Sequence, residues 1–199
     1  MLLSLLVSAL SLATPILSTP TVTPRLLSPR LDCAFFPPGA SMIVVDSADH
    51  PAINGLFAQP IDIIFPSKIL PLLAIDTSSS RSVPRRPFAC SAGQIAEYLL
   101  PRRKLGICQD RFNGHILLDA PVEKVLVPEL YKHVAGGVEL EGLYLGVKGQ
   151  TTWGFRYTNA TGGTREYFEV KVLGLLESEW DTVGNEIEFE GFLKVVEWV

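Results

Sequence analysis

Apolar and polar residues alternate with a period of two along the last third of the chain, and this pattern limits the fold more than any other feature. In 151–157, Trp153, Phe155 and Tyr157 alternate with Thr152, Gly154 and Arg156. In 166–173, Phe168, Val170 and Val172 alternate with Tyr167, Glu169 and Lys171. Ile187 and Phe189 are set among acids in 186–190, and 193–199 is a further β-rich run. Side chains on an extended strand point alternately to opposite faces. Such a pattern therefore lays one face on a core and leaves the other in water, as in an antiparallel sheet.

Upstream, the short apolar runs 41–46 and 61–65 predict buried strands. Pro60, Pro66 and Pro71 exclude long helices there, because proline removes a backbone donor and clashes with the preceding turn. Asn113-Gly114 suits a two-residue turn with positive φ at both positions, joining strands over 105–112 and 115–119. Residues 122–127 and 138–147 extend the β-rich reading. Two helices are expected. In 91–99, Ser91 and Gln94 fit a capping box, and Ala92, Ile95, Ala96 and Leu99 form one stripe that Pro101 ends. A short helix over 128–134 would start at Pro128 and stop at Gly136-Gly137. The expected class is α+β: a mostly antiparallel sheet or partly closed barrel with one principal helix at about 91–99.

Residues 1–18 read as a secretory signal peptide. The apolar core is too short and too soon broken by Pro15 to span a bilayer, which takes about 20 residues. Small residues place cleavage before Thr14 or before Thr19; no base precedes the core. Residues 19–39 hold five prolines and read as a Pro-rich linker outside the fold. Residues 40–199 would form a single globular β-rich domain, long enough to bury its own core.

Export gives meaning to Cys33, Cys90 and Cys108. Cys90–Cys108 is the expected disulfide, closing a short loop around the 91–99 helix for about 3 kcal/mol. Cys33 would be free or displace one of them. Asn159-Ala160-Thr161, followed by two glycines, is a glycosylation sequon in a turn. The chain carries 17 Lys/Arg and 21 Asp/Glu, a net charge of −4. Bases concentrate in 81–111 and acids in 166–190. An acidic chain is a poor nucleic-acid binder, and no second apolar run suggests a membrane protein.

Candidate chemistry is sparse. Asp76-Thr77-Ser78 lacks the glycine and the second copy of an aspartic-protease turn. Asp46, Asp49 and His50 crowd after a strand, where Asp49 and Pro51 equally suit a helix start. His115, with Glu166 or Glu169 and Arg156 on neighbouring strands, would make a His/Glu/Arg set of the kind secreted ribonucleases use; these are the weak catalytic candidates. Trp153, Phe155, Tyr157 and Tyr167 would form either core or a sugar-stacking platform. Arg85-Arg86 and Arg102-Arg103 are dibasic but poorly placed for processing. No C-x-x-C and no helical His pair exists, so no metal is expected, nor any cofactor.

The leader, Pro-rich segment, few cysteines and β-rich body ending Gly-Phe-Leu-Lys-Val-Val-Glu-Trp-Val resemble, as a layout, small secreted effector-type proteins of plant-associated, smut-like fungi. That resemblance implies action by binding a host protein rather than by catalysis. The expected function is a secreted non-enzymatic interaction protein with a protein partner; the alternatives are a secreted hydrolase and a carbohydrate-binding module.

Overall fold

The computed structural model describes residues 21–65, 68–77, 85–109, 114–119, 125–159, 166–175 and 189–198. The expected leader, the turn residue Asn113 and the Ala160–Thr161 part of the sequon lie outside them.

The period-2 segments are strands, and they close on themselves. β2 (Ser41–Asp46), β3 (Phe57–Phe65), β4 (Lys68–Asp76), β13 (Trp153–Asn159), β14 (Glu166–Val172) and β15 (Phe189–Glu197) form a six-strand antiparallel barrel in the order β2-β3-β4-β14-β13-β15, with β15 returning to β2. Closure removes the open edges that a flat sheet would leave. Trp153, Phe155, Val170 and Val172 point inward as the alternation predicts, and Ile43, Val45, Leu73, Ile75, Leu193 and Val195 join them in one buried cluster; Tyr167, expected on the wet face, is also buried. Of the runs expected separately over 186–190 and 193–199, the described residues Phe189–Glu197 form one strand, β15.

Further strands extend from the barrel wherever one edge is shared by two partners. β15 pairs with β13 through its first residues and with β12 (Leu143–Gly146) further on. Beyond β12 lie β10 (Glu129–Ala135) and β1 (Val22–Leu26). Leu72 of β4 likewise pairs with β8 (Ile116–Leu118), which pairs with β7 (Leu105–Cys108). At β2, Ser41 meets β5 (Phe88–Ser91).

The architecture corrects the α+β expectation: the structure is nearly all β, and its one helical turn among the described residues is the 3-10 segment Cys33–Phe35. Residues 91–99 are no helix. β5 pairs with β6 (Gln94–Glu97) across Ala92-Gly93, whose φ angles are +50° and +72°. A two-residue turn with both φ positive matches strand twist, and glycine at the second position makes it accessible. A Cβ on Gly93 would also lie 3.3 Å from the Leu31 carbonyl oxygen. The supposed helical stripe breaks accordingly: Ile95 and Ala96 are both buried, while Leu99 is 71% exposed. The 128–134 helix is strand β10, and Gly136-Gly137 turns it into β11 (Val138–Glu139) rather than capping it.

The N-terminal segment is built into the fold. β1 pairs along its whole length with β10, and Leu31 and Phe36 are buried. Cys33 bonds Cys90 across 57 residues, with 5.3 Å between Cα atoms, so the expected Cys90–Cys108 pairing does not form. Without a helix at 91–99, nothing folds the chain to bring Cys108 to Cys90; Cys108 lies buried on β7, 2% exposed. Asp32 Oδ1 accepts from the Ala34 amide and holds the turn that presents Cys33.

Candidate functional site

Outside the barrel wall, β2, β15, β12, β10 and β1 line a cleft of about 640 Å³. His133, Tyr144 and Phe192 lie along it, between the turn after Asp46 and the segment 149–152. Local sequence builds the second wall. Lys148 and Gly149 have φ of +49° and +82°, and Val147 and Gln150 exchange backbone hydrogen bonds at 2.9 Å. Gly146 permits this close return: a Cβ there would stand 2.3 Å from the Gln150 carbonyl oxygen. The Tyr131 hydroxyl accepts from the Gly149 amide at 2.8 Å, and Glu129 accepts from the Lys148 amide at 2.7 Å.

This turn delivers Thr151 to His133, whose Nε2 lies 3.0 Å from Thr151 Oγ1. The His133 ring stacks on Tyr144, centroids 3.7 Å apart and 9° from parallel, and meets Phe192 edge-on at 4.4 Å. The Tyr144 hydroxyl lies 3.1 Å from Asp46 Oδ2 and 3.3 Å from the Glu141 carbonyl, and donates to them. His133 is fully buried, and its Nδ1 has no hydrogen-bond partner. Burial pushes its pKa down to about 4 against the opposing pull of Asp46, so the ring is neutral at pH 7. Burial and Asp46 together hold the Tyr144 hydroxyl well above its ordinary value.

A testable consequence concerns acid. In the unfolded chain His133 titrates near 6.5, so its native pKa is depressed and the unfolded state binds more protons below that pH. Its contribution is therefore full above about pH 6.5 and lost as pH falls toward 4, on the order of 3 kcal/mol. Urea unfolding at a series of pH values should show this loss, and His133→Gln should flatten it.

A second feature is the turn between β6 and β7. Tyr98, Leu99 and Leu100 are 48%, 71% and 49% exposed. The backbone beneath them is fixed: Leu100 N donates to Glu97 O, Arg103 N to Leu100 O, Glu97 N to Arg103 O and Tyr98 N to Pro87 O. Glu97 is buried between Arg86 and Arg103, both at 3.6 Å, and Arg103 also pairs with Asp62 of β3. The result is a rigid apolar tip followed by Arg102, Arg103 and Lys104.

The other expected sites fall as follows. His115, just before β8, does come together with Arg156 of β13 and Glu169 of β14. Arg156 and Glu169 form an ion pair, and His115 lies opposite Lys171. Burial lowers the His115 pKa while Glu169 opposes; its Nδ1 is buried without a partner, and no hydrogen bond joins it to Glu169 among the described residues. Asp46, Asp49 and His50 do not form a set: Asp46 serves Tyr144, while the His50 ring packs 4.8 Å from Phe189 within the turns of 47–55. Trp153, Phe155 and Tyr167 are buried, which leaves Tyr157 as the one exposed aromatic of the four and no stacking platform. Thr77 donates to the Glu166 carbonyl as part of an ordinary strand end. Asn159 ends β13 opposite Glu166. No cluster of three His, Cys, Asp or Glu suited to a metal exists among the described residues.

His133, Thr151 and Tyr144 were not legible as a set. The alternation of Tyr131 and His133 against Leu130 and Lys132, running into Gly136-Gly137, was the available signal for a strand and hairpin. No protein-family model matches the sequence, and no curated protein is significantly similar to it.

Proposed function

We propose that this chain is a secreted, non-enzymatic interaction protein that docks a host protein through the Tyr98-Leu99-Leu100 tip. The observation that carries the reading is the exposure of three consecutive large apolar side chains on a backbone fixed by hydrogen bonds and the buried Glu97. A rigid apolar anchor containing tyrosine and flanked by arginine has the composition of a binding hot spot, and pre-organisation reduces the ordering cost of association. Arg102 and Lys104 favour an acidic rim on the partner. The edge of β1 that has no partner strand among the described residues is a weaker route for a partner, because Pro24 and Arg25 occupy it. The effector-type layout and an oxidising destination, with Cys33–Cys90 bonded, agree with this reading.

The test is site-specific photocrosslinking from position 99 of the intact secreted protein in host extract, with position 138 as control. A discrete product from 99 alone is expected. Leu99→Asp with Leu100→Asp should reduce its yield at least thirtyfold, the equivalent of about 2 kcal/mol, without changing the melting temperature. Equal products from both positions, sedimentation with anionic vesicles in place of a protein adduct, or an adduct indifferent to the double substitution would each refute the proposal.

A further inference from the structure

The cleft over His133 is remote in sequence from the tip and has a chemistry of its own. Its lining among the described residues includes Asp46, Asp49 and Glu190, and neither Lys nor Arg. Lys194 lies on the same outward face of β15 but is not part of the lining. The carboxylates do not converge as metal ligands do: no three acidic or histidine groups lie close enough together among the described residues. They instead border an aromatic wall made of His133, Tyr144 and Phe192.

Acidic residues alone would not make a site. The second observation is His133 itself, which lines the cleft, is fully buried, and has an Nδ1 without a hydrogen-bond partner. A buried polar atom left unpaired costs about 1–3 kcal/mol, so such atoms are held for a partner or a role. When Nε2–H donates to Thr151 Oγ1, Nδ1 carries a lone pair and can only accept. The Tyr144 hydroxyl is already committed to Asp46 and the Glu141 carbonyl. The cleft thus offers negative charge and aromatic faces, with one unpaired acceptor buried in its wall, and asks for a ligand that donates hydrogen bonds and carries positive charge.

We propose that this cleft binds an organic cation, an alkylammonium or guanidinium group, with Asp46 and Glu190 balancing its charge, Phe192 and Tyr144 against its apolar stem, and His133 Nδ1 accepting a hydrogen bond. Anions and phosphates are disfavoured by the three carboxylates. Cations beside aromatic rings gain attraction from the ring quadrupole, which strengthens as water is removed. A cleft of about 640 Å³ is within the range of small-ligand sites and accommodates a group the size of a lysine or arginine side chain with its flanking atoms. Two sources present this chemistry: a free di- or polyamine, and a basic side chain of a peptide.

The experiment uses the intact disulfide-bonded chain and isothermal titration with four probes: putrescine, an acetylated and amidated Gly-Lys-Gly peptide, its Gly-Arg-Gly counterpart, and butane-1,4-diol as a neutral control. At least one cationic probe should bind at least tenfold more tightly than the diol, and weaken as salt is raised. Putrescine binding identifies the free amine; peptide binding alone identifies a side chain. Asp46→Asn keeps an oxygen to accept from Tyr144, and Glu190→Gln is exposed and off the core; each should cut affinity at least fivefold while leaving the melting temperature unchanged. Amide chemical-shift changes should map to Thr151, Phe192 and Asp46. Equal affinity for diol and cations, absence of binding by all probes, full retention of affinity when Asp46→Asn and Glu190→Gln are combined, or saturable calcium binding that displaces the cation would each overturn the assignment.

Discussion

Replacing Cys33 and Cys90 together with alanine will lower the unfolding free energy by about 4 kcal/mol. The bond closes a loop of 57 residues, and in the chain-entropy model a loop of that length restricts the unfolded ensemble by this amount. The native side of the balance adds to the effect. Cys33 ties the turn that follows buried Leu31 to the β5–β6 hairpin, and Gly93 of that hairpin packs against the Leu31 carbonyl. Urea unfolding of the double variant and of Cys108→Ala separates the alternatives. Cys108→Ala should keep the disulfide in a non-reducing peptide map and cost only about 1 kcal/mol from a small lost contact. If the double variant lost less than about 1 kcal/mol, or if Cys108→Ala removed the disulfide, the pairing would be wrong.

Trp153→Ala should destabilise by about 3–5 kcal/mol, the range for emptying a large aromatic site in a packed core. Trp153 is wholly buried at the position where β13 lies between β14 and β15, opposite Val172 and Gly191. Its indole N–H donates to the Leu145 carbonyl at 3.0 Å, so truncation also leaves an acceptor on β12 without its donor. The residue therefore fastens the barrel to its β12–β10–β1 extension. Trp153→Phe retains most of the packing and should cost roughly 1–2 kcal/mol, mainly through the lost hydrogen bond. Tyr157→Ala, on the same strand face but 36% exposed, should cost less than either. Equilibrium unfolding followed by the remaining tryptophans tests all three. Equal losses at 153 and 157 would contradict the barrel interior described above.

The misread segments share a cause. Residues 91–99 and 128–134 each contain adjacent apolar residues buried on both faces: Ile95 with Ala96, and Leu130 with Tyr131. On a strand packed on both sides, burial no longer alternates, and a short apolar run then fits a helical spacing equally well. Gly136-Gly137 reads in sequence as a helix stop and Ala92-Gly93 as helix interior, yet both are turns. Ala92-Gly93 and Gly136-Gly137 both carry positive φ at two successive residues and reverse the chain within a sheet. The candidate His115, Arg156 and Glu169 set was legible because its members lie on strands whose pairing follows from alternation. The cleft was not, because its residues come from five strands separated by as many as 170 positions, from Val22 to Phe192.

What the sequence by itself determined is local. The alternation from Thr152 to Val172 fixes strands with one apolar face, and the prolines at 60 and 71 keep the neighbouring hairpin from becoming helix. Those are statements about single segments, whose side-chain direction is set by backbone geometry alone. Closure of six strands into a barrel, the choice of Cys33 over Cys108 as partner of Cys90, and the meeting of His133 with Thr151, Tyr144 and Asp46 were decided only in three dimensions. Each depends on which distant strands share an edge, and that choice is made by the total burial and hydrogen bonding of the assembled sheet, a quantity no single segment contains.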